Sequence, residues 1–213
     1  MTTPQPGATT PDAAPADSNV DQSRRTWLYL TCGAGAALGA GVATPFIASF
    51  QPSERAKAAG APVEVDIADL KVGELKTVEW QGKPVWILKR DKSMIESLDK
   101  TDNLVADPES DKEYQFKTPE YAKNQHRSIK EEVLVVVGIC SHLGCSPSSR
   151  VTPGPQPNLP DDWQGGFLCP CHGSTFDLAG RVFRNKPANT NLDVPPHKYL
   201  ADTKLLIGAD NKA

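Results

Sequence analysis

Three regimes of hydrophobic and polar spacing follow one another along the chain. From Thr26 to Ser53 no side chain is charged, and Trp27 to Phe50 holds only Thr31, Thr44 and Ser49 as clearly polar residues. As a helix these 24 residues reach about 36 Å, against roughly 30 Å of hydrocarbon in a bilayer. With no polar face over that length, residues 24–50 read as one membrane-spanning helix rather than a helix buried in a soluble core. Upstream, residues 1–23 hold four prolines, three aspartates and only Val20 as a large aliphatic. They cannot bury enough apolar surface to offset ordering entropy, which predicts a disordered tail. Downstream, residues 51–62 are small and polar without an apolar stripe, the pattern of a hinge linker.

From residue 63 to residue 213 the spacing changes to period two, which predicts strands. Val63-Glu64-Val65-Asp66-Ile67 alternates, and Leu75 to Trp80 joins Pro84 to Leu88 through Gln81-Gly82, a hairpin pattern. Ser93 to Leu98 reads as a short helix, and Glu132 to Ile139 is a β-branched run that delivers a buried strand into Cys140. A turn-rich stretch from Pro147 to Gly166 follows, then Phe167-Leu168, a hairpin around Ala179-Gly180 and a last strand near Lys204 to Ile207. The expected fold class is mainly β and antiparallel, one domain over 63–213 behind a single N-terminal helix.

Composition narrows this picture. With 38% hydrophobic and 23% charged residues the chain is globular in kind, and its 19 prolines and 16 glycines favour turns over long helical bundles. The 23 basic and 26 acidic residues nearly cancel, so no chain-wide field exists to hold polyanions, and nucleic acid is not an expected partner. Ser23-Arg24-Arg25-Thr26-Trp27-Leu28 resembles a twin-arginine export signal, followed by a stretch in which ten of 24 residues are Gly or Ala. An arginine pair also works as a positive-inside anchor, and either reading leaves the N-terminus in the cytoplasm and the head outside it. Ala56-Lys57-Ala58 offers a small-residue cleavage site, but the apolar span exceeds the roughly 7–15 residues of a cleaved signal. Retention as an anchor is expected. Cys32 falls inside the span as a small hydrophobe without an assigned role.

The remaining cysteines carry the chemistry. Four of the five, with two of the four histidines, fall into two short boxes, Cys140-Ser141-His142-Leu143-Gly144-Cys145 and Cys169-Pro170-Cys171-His172-Gly173-Ser174. A cluster of two irons needs four terminal ligands, and two imidazoles in place of two thiolates make the Rieske arrangement with its raised potential. Two Cys and two His are also a zinc set, although the single residue between Cys140 and His142 is tighter than zinc spacing and a zinc site leaves the extra cysteine pair without a task.

Together the export signal, anchor, linker, both boxes and the loop Lys186-Pro187-Ala188 resemble the Rieske iron-sulfur subunits of bacterial cytochrome bc complexes. The resemblance implies an antiparallel β domain with an inserted cluster-binding subdomain, the cluster loops spanning about 138–180. It implies one [2Fe-2S] cluster, with Cys140 and Cys169 on one iron and His142 and His172 on the other, and a Cys145–Cys171 disulfide tying the loops. By the same resemblance Ser174 donates to a cluster sulfur, Leu143 sits at an exposed tip, and Phe176 stands where relatives often carry a tyrosine donor. Gly144 and Gly173 are expected to admit backbone close to the cluster, and Pro170 to stiffen its loop. His126 and His197 are expected at the surface or at strand ends. Residues 146–168, rich in proline with Trp163 near the end, form an insertion of unassigned role.

The implied activity is that of a one-electron carrier in quinol:cytochrome c oxidoreductase. Quinol, bound in a cytochrome b subunit, hydrogen-bonds to His172, passes it a proton as the electron moves, and the reduced head swings on residues 51–62 to a c-type cytochrome. The implied setting is the bacterial inner membrane, a single-pass subunit with its head in the periplasm and part of a dimeric complex. A Rieske subunit of another exported oxidoreductase, such as arsenite oxidase, and a zinc-stabilised binding module are the competing readings.

Overall fold

A computed structural model describes residues 18–210 of the chain, and the expected tail at residues 1–17 lies outside them. The chain divides into two compact units, one ending at Ser53 and one beginning at Glu54. The first unit is helix α1, Ser18–Ser49, so the helix starts upstream of the arginine pair and takes in residues 18–23, which the sequence assigned to the tail. Within it, Gln22–Ser49 is long and apolar enough to cross a membrane. Its apolar side chains, among them Trp27, Leu30, Val42, Phe46 and Ile47, face outward. The three polar residues turn inward on the backbone. Thr31 Oγ1 donates to the Trp27 carbonyl at 2.9 Å, Thr44 Oγ1 to Ala40 at 2.7 Å and Ser49 Oγ to Phe46 at 2.6 Å. No hydroxyl of this trio is therefore left to desolvate unpaired in lipid.

The second unit opens with α2, Glu54–Ala59, a short helix inside the segment expected to be plain linker. An i,i+3 ion pair from Lys57 to Glu54 at 2.7 Å and a row of alanines favour that turn, a local preference that the search for an apolar stripe ignored. Three three-stranded antiparallel sheets follow. The first orders β1 (Val63–Asp66), β9 (Lys204–Ile207) and β8 (His197–Ala201). The second orders β2 (Leu75–Trp80), β3 (Lys83–Lys89) and β4 (Val133–Val137), and the third β5 (Ser148–Arg150), β6 (Gly166–Leu168) and β7 (Thr175–Phe176). Gln81 and Gly82 turn the β2–β3 hairpin with φ of 52° and 70°, the left-handed pair that matches strand twist in a two-residue loop. Helix α3 runs Lys92–Thr101, started by the Asp91 carboxylate accepting from the Met94 N–H at 2.8 Å.

Strands β3 and β4 lie between two cores, which explains why Val133–Val137 reads as unbroken hydrophobicity instead of alternation. Val85, Ile87, Val135 and Val137 face Val65, Trp80, Leu205 and Ile207. Trp86, Leu88, Leu134 and Val136 face the third sheet, with Phe167, Phe176, Cys140 and Cys169. Each such aliphatic contributes about 1.5–3 kcal/mol on full burial. The Trp86 ring stacks on Phe167 at 5.2 Å and fills the space where Gly138 lacks a side chain, so any larger residue at 138 would run into the indole.

Three arginines, all fully buried, fasten the turn that ends the third sheet. Arg90 donates to the Leu178 carbonyl at 2.9 Å, and Arg127 to those of Ala179 and Gly180 at 3.1 and 3.3 Å. Arg181 pairs with Asp177 and Asp102, each at 2.7 Å. Every carbonyl from Leu178 to Gly180 thus meets a guanidinium rooted elsewhere in the head.

Candidate functional site

The two cysteine boxes fold into two loops of the same build. In the first, the Cys140 N–H donates to the Cys145 carbonyl at 2.8 Å and the Gly144 N–H to the Cys140 carbonyl at 3.0 Å. In the second, Cys169 donates to Ser174 at 2.7 Å and Gly173 to Cys169 at 3.0 Å. Each loop needs a left-handed residue four positions after its first cysteine. Gly144 and Gly173 supply it with φ of 79° and 73°, so backbone conformation by itself favours glycine at both.

Strand β4 and the Gly138 turn deliver Cys140, and β6 delivers Cys169, so both thiols end up buried, at 0% and 1% exposure. The Cys140 thiol lies beside the Cys169 thiol, the His142 N–H and the Ser174 hydroxyl. Burial pushes the Cys140 thiol up from its ordinary value, opposed by the His142 N–H. At the outer side the His142 and His172 rings meet edge to face at 4.8 Å, the first half-buried and the second exposed. Cys145 and Cys171 are joined by a disulfide that locks the loops together. The Cys169 sulfur comes within 4.8 Å of both disulfide sulfurs, but only Cys169 of that trio has a sulfur free to take a metal.

A strap of residues 186–193 closes over both loops. The Ala188 N–H donates to Ser174 Oγ at 3.0 Å, and Ser141 Oγ donates to the Thr190 carbonyl at 2.7 Å. The strap is held by the Leu192 N–H on the Gly180 carbonyl at 2.8 Å and by the Asp193 carbonyl, which accepts from Val137 at 2.8 Å. Ser174 therefore receives a backbone hydrogen on its oxygen and keeps its own hydrogen for sulfur. Leu143 is 70% exposed at the tip. The insertion is no loose loop. Ser148–Arg150 joins the third sheet as β5 inside the stretch expected to be all turns, and the buried Trp163 donates its indole N–H to the Arg150 carbonyl at 2.8 Å. His126 and His197 stand apart from the site. His197 starts β8 as expected but is buried rather than at the surface, and burial pushes its imidazole down.

Residues 62–196 match the Rieske [2Fe-2S] domain, and residues 14–53 match the Ubiquitinol-cytochrome C reductase Fe-S subunit TAT signal. The ubiquinol-cytochrome c reductase iron-sulfur subunit of Allochromatium vinosum is 53% identical over 90% of this chain and 91% of its own. The chain belongs to the Rieske iron-sulfur subunits of ubiquinol-cytochrome c reductase. The corresponding subunit of Bradyrhizobium diazoefficiens is 39% identical over 91% of this chain and 98% of its own. Among solved structures, a chain of a hyperthermophilic respiratory Complex III aligns with 83% of this Rieske subunit and 97% of itself, at 25% identity and a TM-score of 0.41.

The residues present fit the [2Fe-2S] cluster of that family. Once the disulfide has taken two sulfurs, two buried thiols and two adjacent imidazoles remain at the loop ends, the two-Cys, two-His set a Rieske centre needs. Sequence reasoning did not single out the three arginines, Ala188 as a backbone donor or the Ser141–Thr190 contact. A charged residue normally signals solvent, so nothing in the pattern marks Arg90, Arg127 and Arg181 as interior.

Proposed function

We propose that Cys140 and Cys169 bind one iron, and His142 and His172 the other, of a [2Fe-2S] cluster in a quinol-oxidising membrane complex. The observation that carries this reading is the gradient of burial across the four donors, from sealed sulfurs to an exposed imidazole at His172. When bound, the cluster supplies a one-electron acceptor and donor with a raised potential. The chain's own residues do the rest. The sealed Cys140 and Cys169 keep solvent from the inner side, and the Ser174 hydroxyl, oriented by Ala188, stabilises negative charge on sulfur. The outward ring nitrogen of His172 accepts a hydrogen bond from the quinol hydroxyl and takes its proton as the electron leaves. Leu143, next to His142 at the exposed tip, enters the apolar quinol pocket of a cytochrome b subunit, and a c-type cytochrome is the electron acceptor.

In this reading residues 24–50 are a retained anchor in the bacterial inner membrane, with the N-terminus cytoplasmic and the head periplasmic. Residues 51–62, including α2, are the hinge between the two, in a complex that is dimeric. Metal analysis and electron paramagnetic resonance of the dithionite-reduced full chain test the reading. A two-iron signal with nitrogen hyperfine coupling is expected. Zinc in its place, with a silent spectrum, would sink it.

A further inference from the structure

Arg127 bridges two pieces of chain that meet at the candidate centre. Its Nη1 grips the turn at the Ala179 and Gly180 carbonyls, at 3.1 and 3.3 Å, while Nη2 donates to Leu192 of the strap at 2.6 Å. Its Nε donates to Ser110 Oγ at 2.8 Å. The turn caps the hairpin that carries Ser174, and the strap carries Ala188, whose N–H fixes the Ser174 oxygen. The arginine therefore sets the strap against the hairpin across the hydrogen bond that orients Ser174. The backbone of Arg127 has φ of 49°, a left-handed conformation that a bulky side chain rarely adopts and that persists only where the surroundings enforce it. Burial pushes the guanidinium down to about 10, so it stays charged at neutral pH. Among the described residues no carboxylate lies within ion-pairing distance of it. Asp177, Asp193 and Asp107 attract it from farther off, against the cost of burial.

We propose that Arg127 is a positioning residue for the redox centre: by locking the strap to the turn it fixes the Ser174 hydroxyl beside the Cys140 thiol and so sets the reduction potential. This rests on the ligand assignment proposed above. Arg127→Lys keeps the charge and loses the fork, which separates geometry from electrostatics. The experiment measures the potential of the full chain in detergent for the parent, Arg127→Lys, Ser174→Ala and the double variant. Arg127→Lys is expected to lower the potential in the parent and to leave it unchanged once Ser174 is alanine. Equal shifts in both backgrounds, or none in either with the cluster loaded, overturn the proposal.

If Arg127→Lys does not accumulate, Ser110→Ala takes its place in the cycle. It removes the Nε contact and the 3.1 Å contact from Asn191, with the same outcomes deciding. A parent chain that loads no two-iron cluster would sink the ligand assignment instead, so the two failures are distinguishable.

Discussion

The two cysteine loops share one backbone and differ in what hangs from it. Each opens with a cysteine whose N–H is taken by the carbonyl five residues on, and each turns on a glycine at the fourth position after it. At the second position the first loop places His142, half-buried, and the second places Cys171, exposed; the second loop's histidine comes one residue later and is exposed. At the fifth position the first loop carries Cys145, a disulfide partner, and the second carries Ser174, a fully buried hydroxyl. Sliding the histidine by one place on a fixed scaffold brings the two imidazoles side by side while exposing one more than the other. Equal backbones thus yield a sealed inner side and an open outer one.

The largest test of that equivalence removes the donors one at a time. With four terminal ligands required and no spare, Cys140→Ser, Cys169→Ser, His142→Ala and His172→Ala should each abolish the cluster, read as iron content and paramagnetic signal. Full retention after any one would break the pairing of the loops at that position. Next comes the link between them. Replacing Cys145 and Cys171 together with serine opens a loop of separation 26, which in the chain-entropy account costs about 3.5 kcal/mol. Reversible denaturation of the loaded chain should register that loss, with the ligand set intact. Alkylation of the untreated and the reduced parent must differ in mass, since the same mass in both would mean that the bond is absent.

Smaller and more symmetric effects are expected at the glycines. Gly144→Ala and Gly173→Ala meet no other protein atom within 4 Å, so in the cluster-free chain each should lose the conformational term of a left-handed residue, about 1–2 kcal/mol. Matched losses in thermal unfolding would sharpen the equivalence. A much larger loss at one of them would mean that its loop has a steric demand the other lacks.

The legible part of the molecule was the part whose residue types have few other uses. The two Cys-His boxes, the Gln81-Gly82 hairpin, the valine run of β4 and the uncharged stretch of α1 from Thr26 onward each carry a local signal strong enough to survive folding. What was not legible depended on distant partners. Ser148–Arg150 carries no strand-like run and becomes β5 only because β6 offers an edge, with Ser148 Oγ donating to the Leu168 carbonyl. Helix α2 arose from a short-range preference in a segment judged by its lack of core-forming residues. The arginines escaped because burial of a guanidinium is decided by the carbonyls that surround it, and those come from residues 98, 126, 131, 178, 179, 180 and 192. Ala188 acts through a backbone N–H, which no side-chain pattern records.

The smallest effect concerns a donor that only the second loop is placed to add. Seven residues after the first cysteine, the first loop has Pro147 and the second has Phe176, fully buried in the core that also contains Cys140 and Cys169. A hydroxyl donating to a ligand sulfur stabilises the more negative reduced state, and such a bond to a charged group is worth about 1.5–3 kcal/mol. For a one-electron couple, with about 59 mV to 1.4 kcal/mol, the ceiling is on the order of 60–130 mV. Phe176→Tyr should raise the potential by less than that ceiling, because β7 and its pairing with Phe167 were set for a ring without oxygen. Stability separates the two ways the variant can behave. If the hydroxyl reaches sulfur, voltammetry rises and the denaturation midpoint holds. If the ring edge points away, a buried hydroxyl without a partner costs about 1–3 kcal/mol and the potential stays where it was. That second result would confine the second loop's side-chain donors to Ser174.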